Sequence, residues 1–326
     1  MTNYVGIDMS QDYFDAALMI DGQIVAQGRF DNNEPGFKTF KNWLSKHQSA
    51  PVHSTLEATG MYGEALAEWL VEQDEAVSVV NPAQIKAYGQ AQLRRAKTDK
   101  TDARLIADFA RTQQPPLWTP SAPEIKHLRA LVRYMDRLQE ERQREQNRLH
   151  AQRLPQLQAM HREHIAYLQA RIAELQTQIK AHIQAHPALA HTVALLMTIK
   201  SVGPLVAWHF VAEIDITRFA SPKALVAFLG LNPHIRRSGK RQKTASPISK
   251  MGNAALRRVL YMPTIHAKQH NVPVKRLYDR LIERGKHKAV ARIAAMRKLV
   301  HIIYGVWTSG QAFDAHFETD SIARAA

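Results

Sequence analysis

Cysteine is absent from the 326 residues. Disulfides, thiolate zinc sites and a cysteine nucleophile are therefore excluded. Long apolar runs are missing as well, and none reaches the ~18–20 residues of a membrane span. The chain enters a strand pattern at Tyr4 without a basic n-region or an apolar h-region, so no secretory signal is expected. These absences predict a protein of a reducing cytoplasm with no membrane partner. Acidic residues are scarce in one region only. Residues 231–300 hold 18 Lys and Arg against 2 Asp and Glu, whereas residues 1–90 hold 5 against 12 and all the rest 39 against 17. Charge spread for solubility would not segregate in this way. An acidic stretch beside a basic one predicts a metal site next to a polyanion track.

Turn chemistry and periodicity divide the chain. Residues 4–8, roughly 13–20 and 23–30 read as strands, with Asp21-Gly22 as a two-residue hairpin signal. Glu34-Pro35-Gly36 opens an amphipathic helix, followed by a strand at 52–57, a helix near 61–73, a strand at 76–80, a short helix near 83–89 and a basic-acidic segment, 94–108, whose second half reads as helical. That is the ribonuclease-H-like order, an antiparallel meander continued by βα units into a mixed sheet. Pro115-Pro116 and Pro120 to Pro123 mark a boundary. Beyond it, Leu128, Leu131, Met135 and Leu138, then Ile165, Leu168, Ile172, Leu175 and Ile179, form narrow stripes on helices. An antiparallel hairpin, a subunit-pairing coiled coil, or a solvated helix on its own domain all suit them. His186-Pro187 is a second boundary, and Ile199-Lys200-Ser201-Val202-Gly203-Pro204 has the look of a helix-hairpin-helix turn, or of an ordinary helical turn. The expected domains are 1–120, 121–190 and 191–326: an α/β domain, a helical coiled-coil middle and a mostly α C-terminal domain.

Four acids are the first candidate constellation. Asp8 closes Tyr4-Val5-Gly6-Ile7, Glu57 ends Val52 to Leu56, and Asp99 and Asp102 share a helix face by their spacing of three. Singly, each has an ordinary reading as a cap or turn residue. Jointly, they fall where a ribonuclease-H-like sheet would gather them, and gathered carboxylates call for a divalent cation, Mg²⁺ or Mn²⁺. Arg94, Arg95, Lys97, Lys100 and Arg104 lie beside them to hold phosphates.

The second constellation is Asn232-Pro233-His234-Ile235-Arg236-Arg237-Ser238-Gly239-Lys240-Arg241-Gln242-Lys243, continued by Lys250, Arg257 and Arg258. Ser238 lies among five cations. It could attack a phosphodiester, with the cations stabilising the added charge. Spacing alone favours a phosphate-contacting hydroxyl, because no base stands near it in sequence.

Taken together, these stretches resemble the insertion-sequence-110 family, the DEDD recombinases of bacterial mobile elements that are guided by a structured bridge RNA. The resemblance rests on Tyr4 to Asp8, Leu56-Glu57-Ala58-Thr59-Gly60, Lys97 to Ala103, Phe228-Leu229-Gly230-Leu231-Asn232-Pro233, Ser238-Gly239 and Ile248 to Asn253 with Leu256-Arg257. They span almost the whole chain in the family's order. Lys200-Ser201-Val202-Gly203-Pro204 differs mildly from the usual Pro-Gly-Val-Gly-Pro form. The resemblance implies a RuvC-like domain carrying Asp8, Glu57, Asp99 and Asp102, a coiled coil, and a transposase domain whose nucleophile is Ser238. It implies double-stranded DNA (element ends and target) and guide RNA as partners, a dimer or tetramer with centres composed across subunits, and a place at the bacterial nucleoid. The rival readings are a metal-only RuvC-like endonuclease, a sugar-kinase or actin-like ATPase, and a non-catalytic nucleic-acid scaffold.

Overall fold

A computed structural model describes residues 3–47, 50–58, 62–92, 99–233 and 247–315, with the side chains of 99–101 outside the description. The chain divides into two compact units, Met1–Ser121 and Ala122–Ala326.

The first unit is a mixed sheet of β1 (Asn3–Met9), β2 (Tyr13–Ile20), β3 (Gln23–Asp31), β4 (Val52–Glu57) and β5 (Ala76–Val80), with helices α1 (Glu34–His47), α2 (Glu64–Glu72), α3 (Pro82–Ala91) and α4 (Asp99–Gln113). The strand order is β3-β2-β1-β4-β5. β1, β2 and β3 pair antiparallel, while β4 joins β1, and β5 joins β4, in parallel. Asp21 and Gly22 both take positive φ, 49° and 79°, as a tight hairpin of this twist requires. Alternation then sorts the strand side chains. Val5, Ile7 and Met9 enter a core with Phe14, Phe37 and Phe40 of α1's side and Leu66 and Leu70 of α2. Phe14 and Phe40 meet edge-on with centroids 5.3 Å apart. Helix α4 covers the other face. A Cβ at Gly6 would lie 2.1 Å from the Ala103 carbonyl oxygen and 2.2 Å from the Ala107 nitrogen, so only glycine permits this approach.

The second unit is helical. α5 (Pro123–Ala151) and α6 (Pro155–Ala185) form a long hairpin, followed by α7 (Pro187–Met197), α8 (Pro204–Glu213), a 3₁₀ turn (Ile216–Arg218), α9 (Pro222–Phe228), α10 (Ala254–Val259), α11 (Tyr261–His270), α12 (Val272–Glu283) and α13 (Lys288–Ser309). The stripe of α6 does not await another chain. Leu168, Ile172, Leu175 and Ile179 share one core with Leu128, Met135 and Leu138 of α5 and with the helices from α7 onward. The double variant Leu168→Asp, Leu175→Asp would place two carboxylates in that core. It is expected to destabilise the unit by roughly 5 kcal/mol or more, read as a lowered urea midpoint. An unchanged midpoint would show the stripe to be solvated surface.

Between α7 and α8, Ser201 holds φ at 87°, the region that suits the glycine of the usual form. Its hydroxyl is 2.9 Å from His266 Nδ1. A side chain at that φ carries some strain.

Candidate active site

The acidic rung follows from register. Gly6 faces α4, so Asp8, two residues on, faces the same way. Asp8 stands opposite Asp15 on β2, and Asp15 opposite Arg29 on β3. On the other side the parallel pairing runs to Ile7 and Leu56, and the next positions along are Asp8 and Glu57. Arg29, Asp15, Asp8 and Glu57 therefore form one rung across four strands, on one face, with neighbouring strands about 4.8 Å apart. Asp8 and Glu57 are half-buried; Asp15 is buried.

Helix α4 brings the remaining acids toward that rung. Ala103 and Ala107 lie over Gly6, whereas Arg111 reaches Gly22 in the hairpin turn, at the opposite end of β1. α4 thus runs antiparallel to β1, with its first turn above the strand's C-terminal end. Asp99 precedes Ala103 by four helical residues, about 6 Å, and Asp8 follows Gly6 by two strand residues, about 6.6 Å. The first turn of α4, with Asp99 and Asp102, therefore lies toward the end of β1 that carries Asp8. The helix N-terminus adds partial positive charge there, which also favours acids in a first turn. Arg104 turns to β3 and donates to Gln27 Oε1 at 2.5 Å.

The donor set is all oxygen, and it suits a hard divalent cation by its chemistry. Among the described residues no three His, Asp or Glu side chains converge closely enough to hold an ion. Asp99's carboxylate and Lys100's ammonium lie outside the description, as do Arg94, Arg95 and Lys97.

Asp15 and Arg29 did not figure among the expected residues. The signal was one acid, Asp15, inside the otherwise apolar Phe14 to Ile20 run. A charge at an inward strand position needs a partner, and Arg29 supplies it. Its Nε and Nη2 donate to the two Asp15 oxygens at 3.1 and 2.7 Å.

In the second unit the sequence stretches around Ser238 assemble a frame. Pro233 and Ile248 form a β-bridge, Ser249 N–H donates to the Asn232 carbonyl at 2.8 Å and Lys250 N–H to the Gly230 carbonyl at 3.1 Å. Gly252, at φ 132°, lies where a Cβ would come within 1.9 Å of the Phe228 oxygen. Asn253 caps α10 by accepting from Leu256 N–H at 3.0 Å. Ser238 and the cations Arg236, Arg237, Lys240, Arg241 and Lys243 lie in the segment this frame closes, outside the described residues.

Three nearby cations are described: Arg257 holds the frame, Arg258 reaches α5, and Lys250 faces solvent. Arg257 Nη1 donates to the Leu229 and Gly252 carbonyls at 2.9 and 3.1 Å. Arg258 pairs with Asp136 at 3.1 Å and with Glu140. Burial pushes the Asp136 carboxyl up, but the hydrogen bond and charge of His209 and the charge of Arg258 outweigh it, leaving the group below its ordinary value. Lys250 is exposed.

Comparison with known proteins bears on both units. Residues 5–158 match a DEDD family profile described as "Transposase". Residues 193–279 match one described as "Transposase IS116/IS110/IS902 family". The pilin gene-inverting protein of Moraxella bovis is 33% identical over 315 residues, covering 95% of this chain and 97% of its own length. The pilin gene-inverting protein of Moraxella lacunata is 32% identical over the same span.

Proposed function

The chain belongs to the IS110 family of transposases, DNA recombinases, and we propose that it moves a bacterial insertion element under the guidance of a structured RNA. The observation that carries the reading is the rung itself. Asp8 and Glu57 follow the paired Ile7 and Leu56 on neighbouring strands, and α4 begins toward that end of β1. The strand order, with three antiparallel strands continued by βα units, supports a RuvC-like domain. Asp8, Glu57, Asp99 and Asp102 would hold Mg²⁺ or Mn²⁺. When bound, the ion supplies positive charge at a scissile phosphate.

Ser238 is the nucleophile in this reading. Its Oγ bonds to phosphorus, one bridging P–O bond of the DNA breaks, and the serine proton ends on the departing DNA hydroxyl. The phosphodiester energy is kept in the Ser–DNA link, so the reverse step rejoins strands without an external energy source. Arg236, Arg237, Lys240, Arg241, Lys243 and Lys250 hold backbones of DNA and RNA, and base pairing with the RNA selects the target. The 39 Lys and Arg against 17 acids beyond residue 90 support two polyanionic partners. The acid-bearing and serine-bearing centres are composed in a dimer or tetramer at the nucleoid.

A second reading draws on the curated relatives, whose printed name is that of gene-inverting proteins. The same cutting and rejoining would then flip a segment in place. One experiment separates these readings. Purified protein is incubated with Mg²⁺, RNA transcribed from the flank of its coding region, and a supercoiled plasmid carrying the element ends, and the junctions are sequenced. Integration or excision junctions are expected, and only when the RNA is present. Inverted junctions alone favour the second reading. Equal yield without RNA removes the guide, and linear hydrolysed ends without rejoining remove recombination.

A further inference from the structure

The rung contains one carboxylate more than the four-acid reading needs. Asp15 stands directly opposite Asp8, on the same face, and is only 4% exposed. Acids directly opposed across a strand pair repel. A further carboxylate at that distance would also compete as a ligand for any ion held by Asp8. Arg29 is placed to counter both. Its fork engages both Asp15 oxygens, at 3.1 and 2.7 Å. Its guanidinium carbon lies 3.9 Å from the centroid of the Tyr13 ring, which sets the plane of the fork. An irregularity between Leu18 and Met19 shifts the β2–β3 pairing and brings Arg29 opposite Asp15.

We propose that Arg29 is a positioning residue for the divalent-metal site: by clamping Asp15 it keeps that carboxylate out of the ligand set and cancels its charge beside Asp8. The proposal rests on the reading of Asp8 and Glu57 as metal ligands. It differs from a purely structural role in what breaking the pair does. A structural pair lowers stability from either side and leaves metal affinity alone. A pair that tunes the site moves affinity in opposite directions from its two halves.

The test uses the full chain and Mn²⁺, with free Mn²⁺ counted by its paramagnetic resonance signal. Arg29→Ala bares the Asp15 charge and is expected to tighten Mn²⁺ binding about tenfold. Asp15→Asn removes the negative charge that Arg29 pairs with and is expected to weaken binding about tenfold. The double variant should return to within about twofold of the parent, because both charges are gone. Asp15→Asn keeps the shape of the side chain, and it carries the sign of the effect if Arg29→Ala does not fold. Asp8→Asn is the reference. If it weakens Mn²⁺ binding while Asp15→Asn does not, the positioning role is overturned and the metal reading stands. If Asp8→Asn changes nothing, the metal reading falls and this inference with it.

Discussion

Ser238→Ala is expected to abolish the covalent protein–DNA adduct and recombination together, a loss of at least about three orders of magnitude, while nucleic-acid affinity stays nearly intact. The substitution removes one oxygen and no charge. In the proposed reading, binding in this region comes from Arg236, Arg237, Lys240, Arg241 and Lys243, which the substitution leaves in place. Serine is a weak nucleophile at its free pKa, so the reaction depends on neighbouring charge and on a proton acceptor that the assembled complex must provide. Ser249→Ala is the matched control. Ser249 lies in the same basic region, and its backbone N–H bonds to Asn232 in the frame that closes the Ser238 segment. Trapping on nicked DNA and denaturing electrophoresis reads out the adduct. An adduct that persists in Ser238→Ala, or is absent from the parent under recombining conditions, would remove the serine assignment and leave the metal-only endonuclease.

The frame explains why the stretches flanking Ser238 have the residues they do. Gly230 to Pro233 and Ile248 to Asn253 bond to one another, and Arg257 pins the Leu229 and Gly252 carbonyls. Arg258 reads in the sequence as one more cation of the basic stretch, because its acidic partners are far away along the chain. Asp136 and Glu140 sit on α5, more than a hundred residues earlier, and take up Arg258. Charge composition is visible in a sequence; charge pairing across that distance is not.

The first unit shows the same division. Local chemistry made its elements legible. The Asp21-Gly22 turn, the 52–57 and 76–80 strands stopped by turn residues, and the apolar face of α1 can each be read within a window of about ten residues. The placement of Asp8 on a central strand beside Glu57's strand follows from their order. Asp15 and Arg29 were illegible for a specific reason. The hairpin starts with Ile20 opposite Gln23, a register that would carry Phe14, not Asp15, to Arg29. The irregularity between Leu18 and Met19 shifts the pairing by one, and a shift of one exchanges the faces of a strand. Nothing in the local composition announces that shift. The α6 stripe was ambiguous for a different reason. A seam of Leu and Ile looks alike whether the partner is another chain or α5 of the same chain, and only the fold supplies α5.

Asp8→Asn is expected to eliminate strand cleavage while leaving a folded protein. The substitution takes one negative charge from a rung where Asp15, Asp8 and Glu57 stand in adjacent strands. In the metal-free protein that loss relieves repulsion, so thermal stability in a chelator should be unchanged or higher. In Mg²⁺ the order should reverse. An ion held at a hundred times its Kd stabilises the parent by about 2.7 kcal/mol, and a variant that has lost a ligand forgoes most of that gain. The parent should therefore show a Mg²⁺-dependent rise in melting temperature that Asp8→Asn lacks, and cleavage should vanish with it. Gly6 makes a useful comparison. Gly6→Ala keeps every carboxylate but drives a methyl toward Ala103 and Ala107, so it should shift α4 or unfold the unit in chelator and in Mg²⁺ alike. If Asp8→Asn recombines DNA as well as the parent does in Mg²⁺, the acidic rung is a structural feature of the sheet edge and the metal assignment fails, whatever Ser238 does.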